Sequence, residues 1–202
     1  MDESIMNFEF EGEIEELERK IQDHHNKEEL VVFYGSSSVR LWETLSEDLA
    51  PLNVLNLGFG GSSFSWCIYY FDRLFSKIKP SYIVIYVGDN DLANGIPPEK
   101  VLKKFKVLSK LIRVNFPNVP MDFITIKPSP IRTYLLPEIR LTNDLIRKEL
   151  KGINKAELIN VFDSMLNEKS VARPELYGED QLHMNAEGYK IWKGVVRKHF
   201  GI

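Results

Sequence analysis

Leu30-Val31-Val32-Phe33-Tyr34-Gly35-Ser36-Ser37-Ser38 is the stretch from which the rest of the chain can be read. Its apolar and aromatic residues run without polar alternation, the texture of a strand buried on both faces, as in a parallel sheet covered by helices on either side. Gly35 ends the run. The serines behind it then sit on a strand-to-helix turn, where the first amides of the next helix still lack acceptors. Serines at such a turn also serve as plain helix caps.

The same texture recurs at residues 52–57, 82–87, 121–126 and 158–162, so five strands are expected, the first over 30–34. Between them, residues 66–78, 98–116 and 134–152 carry apolar side chains at three- and four-residue intervals, the spacing of amphipathic helices. Asn185 offers an N-cap for a closing helix with Tyr189, Trp192, Val195, Val196 and Phe200 on its inner side. A helix over 13–26 opens the chain, its Glu-rich outer face expected to be solvated. Strand alternating with helix implies right-handed crossovers and a three-layer α/β/α sandwich around a five-stranded parallel sheet. A chain of 202 residues suits one domain over 1–202, with 1–28 as a helical extension packed on it. Pro128-Ser129-Pro130 ends the fourth strand as a loop rather than as a boundary.

Composition excludes several classes. A hydrophobic content of 44% with 27% charged residues is that of an ordinary globular protein. A formal charge of -3 argues against nucleic acid as a partner, since affinity for a polyanion needs clustered cations. Lys100, Lys103, Lys104, Lys106 and Lys110 do crowd one segment, but Val101, Leu102, Phe105, Leu108, Leu111 and Ile112 interleave at helical spacing, which reads as a solvated face opposite a core stripe. The single cysteine, Cys67, rules out an intrachain disulfide and a multi-cysteine zinc site. The N-terminus lacks a secretory pattern, and no apolar run approaches the ~20 residues of a membrane span. A cytoplasmic location is expected.

In a doubly wound sheet, ligands sit beyond the carboxyl ends of the strands, and the reactive residue types cluster there. Gly58-Phe59-Gly60-Gly61-Ser62 follows the second strand, where glycines let backbone approach a ligand; the same residues would make an ordinary tight turn. Gly88-Asp89-Asn90-Asp91 follows the third, where Asn90 can aim an amide donor into the crevice or merely shape a turn. Near the C-terminus, Asp180-Gln181-Leu182-His183 sets a carboxylate three positions before an imidazole. Such a pair fixes one imidazole tautomer for general-base work, although a short DxxH also occurs as a surface turn capping a helix. His24 and His25 are adjacent in the opening helix and point about 100° apart. His199 suits a helix C-terminus as a cation. Neither arrangement chelates a metal. An acyl-transfer enzyme needs a hydroxyl, an imidazole, an orienting carboxylate and oxyanion donors together, and these loops hold all four.

In these four blocks the chain resembles the SGNH or GDSL hydrolases, an esterase and lipase family with a flavodoxin-like α/β/α fold. Phe33-Tyr34-Gly35-Ser36-Ser37-Ser38 is similar to the first block, which implies Ser37 as nucleophile, and Gly58-Phe59-Gly60-Gly61-Ser62 to the second, which implies Gly60 as an oxyanion glycine. Gly88-Asp89-Asn90-Asp91 matches the third, with Asn90 as side-chain donor, and Asp180-Gln181-Leu182-His183 the block that supplies acid and base. Ser36 stands where the family has Asp, so the GDS signature is not literal, and Ser36, Ser37 and Ser38 compete for the nucleophile's place; register favours Ser37.

The resemblance implies an ester hydrolase acting through an acyl-enzyme on a small-molecule ester, with neither metal nor organic cofactor required; the family's range runs from short-chain esters to lysophospholipids, thioesters and acetylated sugars, and short acyl or acetyl groups are the expectation here. The oxyanion would be held by the amides of Ser37 and Gly60 and the side chain of Asn90. Ser129, Arg132 and Phe59 are candidates to touch substrate, and Phe64 and Trp66 either line the acyl site or belong to the core. Two other readings stay open. The same triad serves thioesterases, lysophospholipases and acyltransferases, and a flavodoxin-like module would bind a ligand without catalysis, although the second loop fits neither dinucleotide nor Walker pattern. Oligomeric state is not legible.

Overall fold

A computed structural model of the chain describes residues 10–23 and 28–202. Five strands pair in parallel in the order β2-β1-β3-β4-β5: β1 (Leu30–Gly35), β2 (Asn53–Gly58), β3 (Pro80–Tyr86), β4 (Met121–Ile124) and β5 (Leu158–Ile159). Along β1, Leu30, Val32 and Tyr34 enter one apolar core while Val31 and Phe33 enter another, so burial on both faces accounts for the unbroken apolar run. The first core lies under α1 (Glu11–Gln22), α4 (Phe64–Tyr69), α5 (Phe71–Phe75), α7 (Pro98–Asn115) and α8 (Leu136–Leu150). The second lies under α2 (Ser37–Arg40), α3 (Leu45–Asp48) and α9 (Ala186–Phe200). A short α6 (Asp89–Ala93) follows β3. Because β2 lies on one side of β1 and β3 on the other, the chain reverses direction across the sheet between them, and the crevice of a doubly wound sheet opens there.

At three places a boundary differs from the periodicity because a distant side chain takes a backbone group. The helix expected over 66–78 is two, α4 and α5, meeting at Tyr70. The Tyr34 hydroxyl donates to the Cys67 carbonyl at 2.6 Å, the group that a continuous helix would offer to residue 71. The fourth strand stops at Ile124 because the Asn143 side chain pairs with both backbone groups of Ile126, at 2.8 and 3.0 Å. The fifth stops at Ile159 because the amides of Val161 and Phe162 both donate to Thr125 Oγ1. Residues 130–135 form a 3-10 strap ahead of α8. Asn185 caps α9 as expected, accepting from the amides of Glu187 and Gly188.

The opening helix spans Glu11–Gln22, and residues 24–26 of the expected range lie outside the described residues. Its acidic face is not simply solvated. Arg73 on α5 bonds Glu11 and Glu18, while Glu13 accepts from the Gly60 amide at 2.8 Å and faces Arg40 at 3.5 Å. The lysine-rich face of α7 is also partly engaged: Lys104 reaches Asp91 and Lys106 reaches Glu149. Cys67 is fully buried. Among the described residues, no helix is long and apolar enough to cross a membrane.

His199 does more than suit a helix end. Its Nε2 lies 2.5 Å from the Oδ2 of buried Asp122, which also accepts from the Tyr82 hydroxyl and, through Oδ1, from the Glu157 amide. The bond to Asp122 raises the imidazole's pKa above its ordinary value, against the opposing effect of burial. A raised folded-state pKa adds stability that is complete below the unfolded value of about 6.5 and disappears as pH rises through the folded value. His199→Leu is therefore expected to cost about 2 kcal/mol in mildly acidic buffer. Urea unfolding should show the gap to wild type narrowing as pH rises; a gap that widens with pH would contradict this assignment.

Candidate active site

The crevice is organised by the turn after β1. Gly35 has φ +148°, and a β-carbon there would stand 1.8 Å from the Tyr86 carbonyl oxygen, so only glycine lets the end of β1 press against β3. Next to it, the Ser36 amide donates to the same carbonyl at 2.9 Å, and the chain turns into α2 with Ser37 as its first residue. An amide at that position has no intrahelical acceptor. Of the three competing serines, Ser37 is the one whose Oγ meets an imidazole, 3.0 Å from His183 Nε2. Ser36 Oγ is buried without a partner among the described residues, and the backbone carbonyl of buried Ser38 accepts from Tyr189.

His183 lies on a closed turn. The Gly178 amide donates to the His183 carbonyl and the Gln181 amide to the Gly178 carbonyl, with Gln181 held in the left-handed region at φ 54°. That conformation is unfavourable for a non-glycine residue. Its cost is offset by bonds from the Gln181 side chain to the Gly178 carbonyl and from the Ile131 amide to the Gln181 carbonyl. Asp180 Oδ1 accepts from the Leu182 and His183 amides, both at 2.9 Å, while Oδ2 lies 2.6 Å from His183 Nδ1. Partial burial works to raise the Asp180 pKa, but the two amides and the His183 ring outweigh it and hold the carboxyl down at about 2. The carboxylate is thus ionised wherever the protein is folded near neutrality, and it anchors one ring nitrogen while the other faces Ser37. The capping role that a short DxxH might have played falls to Asn185.

Beneath this turn lies Lys127, which no motif in the sequence marks. It is 2% exposed, and its Nζ donates to the Leu182 carbonyl at 2.8 Å over the Tyr177 ring. Burial lowers its pKa to about 8, with Asp89 and Asp180 opposing that shift and Arg132 adding to it. A lysine directly after the buried run at 121–126 was the available signal.

Asn90 follows β3. Its Nδ2 donates to the Ser62 carbonyl at 3.2 Å and its Oδ1 accepts from Arg132 at 2.9 Å. Its neighbour Asp91 is fully buried and ties the second and third loops together, accepting from the Phe64 amide and from Lys104. Burial raises the Asp91 pKa, and both partners act to lower it.

The second loop corrects the expected donor. Gly60 is turned away from Asn90: its amide is taken by Glu13, and a β-carbon on it would strike the Phe10 ring at 2.4 Å. Gly61 is exposed instead, and a β-carbon there would stand 3.8 Å from Asn90 Nδ2. Its amide has no acceptor among the described residues. The candidates for substrate contact also change. Phe59 is fully buried against Phe10, Tyr34 and Tyr70, Phe64 is equally buried, and Ser129 is 2% exposed, so none offers surface to a ligand. Arg132 is committed to Asp89 and Asn90 rather than left free for an anion. His24 and His25 lie outside the described residues. Among the described residues, no group of His, Cys, Asp and Glu is arranged to hold a metal ion.

A hydroxyl on an imidazole on a carboxylate, beside amide donors, is an arrangement able to form and resolve an acyl ester. Similar proteins share the frame. A GDSL-like lipase from Bacteroides thetaiotaomicron superposes with a TM-score of 0.76 at 20% identity, covering 91% of this chain and 97% of that one. A member of the lipolytic G-D-S-L family from Veillonella parvula gives 0.71 at 17%, covering 85% and 98%. A family 3 carbohydrate esterase from Clostridium thermocellum gives 0.65 at 14%, covering 84% and 93%. No curated protein matches the sequence. At these identities the likeness carries the fold alone. The family model of the GDSL-like lipase/acylhydrolase family, however, matches residues 30–191, the whole span from β1 into α9. On that match, the chain belongs to the GDSL-like lipase/acylhydrolase family and is an ester hydrolase of the GDSL type.

Proposed function

We propose that the protein is a serine esterase that cleaves carboxylic esters of short acyl groups through an acyl-enzyme. The observation that carries this reading is the continuous line from Ser37 Oγ through His183 to Asp180, at 3.0 and 2.6 Å. His183 takes the Ser37 proton as the hydroxyl oxygen attacks the ester carbonyl, and Asp180 holds the imidazole and stabilises its cation. The Ser37 amide, the Gly61 amide and the second N–H of Asn90 receive the oxyanion; Gly61 takes the place first assigned to Gly60 because Glu13 occupies the Gly60 amide. The tetrahedral adduct then collapses as His183 protonates the leaving alcohol. Water, deprotonated by the same imidazole, attacks the acyl-Ser37 and releases the acid. Each proton taken up by His183 is returned within the cycle, so the reaction balances without a metal or redox partner.

A fluorophosphonate is expected to add one phosphonyl group to the protein, mapped to Ser37 by mass spectrometry and absent from Ser37→Ala. A folded, unlabelled wild type would favour a non-catalytic binding module. Asn90→Ala is expected to lower kcat roughly a hundred- to a thousandfold in a protein that still folds, with the unfolding temperature lowered by a few degrees because Arg132 and the Ser62 carbonyl lose their partner.

The short-acyl reading is supported by the burial of Phe59 within the second block and of Phe64 just after it, which removes the apolar wall they would have given to a long chain; Trp66 is partly buried and packs its ring with Phe10 and Tyr70. Across p-nitrophenyl esters, kcat/KM is expected to be highest for the shortest acyl groups, and a maximum beyond about ten carbons would overturn this part of the reading.

A further inference from the structure

Arg132 stands in the 3-10 strap Pro130–Leu135, and its side chain is 15% exposed. Nη1 donates to Asp89 Oδ2 at 3.1 Å and Nη2 donates to Asn90 Oδ1 at 2.9 Å. At the other end of the same amide, Nδ2 donates to the Ser62 carbonyl at 3.2 Å. The chemistry of these neighbours leaves one orientation for Asn90. A guanidinium has no acceptor and must face the amide oxygen, while a carbonyl has no donor and must face the amide nitrogen. A flip would set oxygen against oxygen and NH2 against guanidinium. A primary amide carries two N–H groups, and with one on Ser62 the other remains for a ligand.

We propose that Arg132 is a positioning residue for ester cleavage: its fork fixes and polarises the Asn90 amide so that the free N–H is presented to the developing oxyanion. The proposal rests on the reading of Asn90 as an oxyanion donor. Asp89 keeps the fork in place and balances its charge, so the guanidinium acts on Asn90 and not on substrate. The same strap donates the Ile131 amide to the Gln181 carbonyl at 3.2 Å, so one short segment holds the donor loop and the His183 turn in register. Lysine does not replace this geometry, since a point charge cannot span Asp89 and Asn90 as a planar fork does.

The test is a double-mutant cycle read by steady-state hydrolysis of p-nitrophenyl acetate. Arg132→Ala is expected to lower kcat roughly tenfold to a hundredfold with little change in KM, as for loss of a charge-assisted hydrogen bond that matters in the transition state. Arg132→Lys should recover little of the loss, whereas millimolar guanidinium should restore part of it to Arg132→Ala. Placed in the Asn90→Ala background, Arg132→Ala should add almost nothing, because its effect passes through the amide already removed. Losses that multiply independently in the double variant would overturn the proposal, as would a rise in KM at unchanged kcat, which marks a substrate anchor. An Asn90→Ala enzyme as active as wild type would overturn it by a separate route, removing the donor itself while Ser37 labelling still reports on the nucleophile. Should Arg132→Ala not fold, Arg132→Lys, which keeps a cation beside Asp89, carries the same cycle.

Discussion

Everything at the crevice depends on how closely the end of β1 approaches β3. At Gly35 there is no room for a side chain against the Tyr86 carbonyl, and that carbonyl accepts the amide of Ser36. This single backbone bond fixes where the first loop leaves the sheet, and Gly88 and Asn90 follow only a few positions beyond Tyr86 on the partner strand. Hydroxyl and amide donor are therefore set against each other by strand register rather than by loop packing. The imidazole arrives from a third direction, on a turn that must be fastened separately, and Lys127, Ile131 and Asp180 supply the fastenings.

The strands were legible because each is buried on both faces, which leaves an unbroken apolar run that little else produces. Their ends were not, since β4 and β5 stop where the side chains of Asn143 and Thr125 take backbone groups in place of a neighbouring strand, and neither is close in sequence to the strand whose end it caps. The split helix has the same origin, in a hydroxyl from Tyr34. The turn bearing Asp180 and His183 could be read directly because its contacts are local, three residues apart.

The choice between Gly60 and Gly61 could not be read in this way. Adjacent glycines are equivalent in composition, and which peptide faces the crevice is decided by Glu13 and Phe10, from a helix that precedes the sheet. Position after the fourth strand makes Arg132 a candidate for substrate contact, and only the buried carboxylate of Asp89, 43 residues earlier, reveals that its charge is already answered. The acidic residues of α1 likewise look solvent-facing in sequence, because their partners Arg73 and the Gly60 amide lie far along the chain. Pairing between distant charges leaves no periodicity in a sequence.

Cys67 lies fully buried beneath the split helix, and burial pushes its thiol pKa far above the ordinary value. It is also the sole cysteine of the chain. The folded enzyme therefore presents no reactive sulfur to solvent. A cysteine introduced at an exposed position such as Tyr134 would be the one handle available to a maleimide dye or spin label, so movements of the strap can be followed optically or magnetically without first stripping the molecule of native thiols.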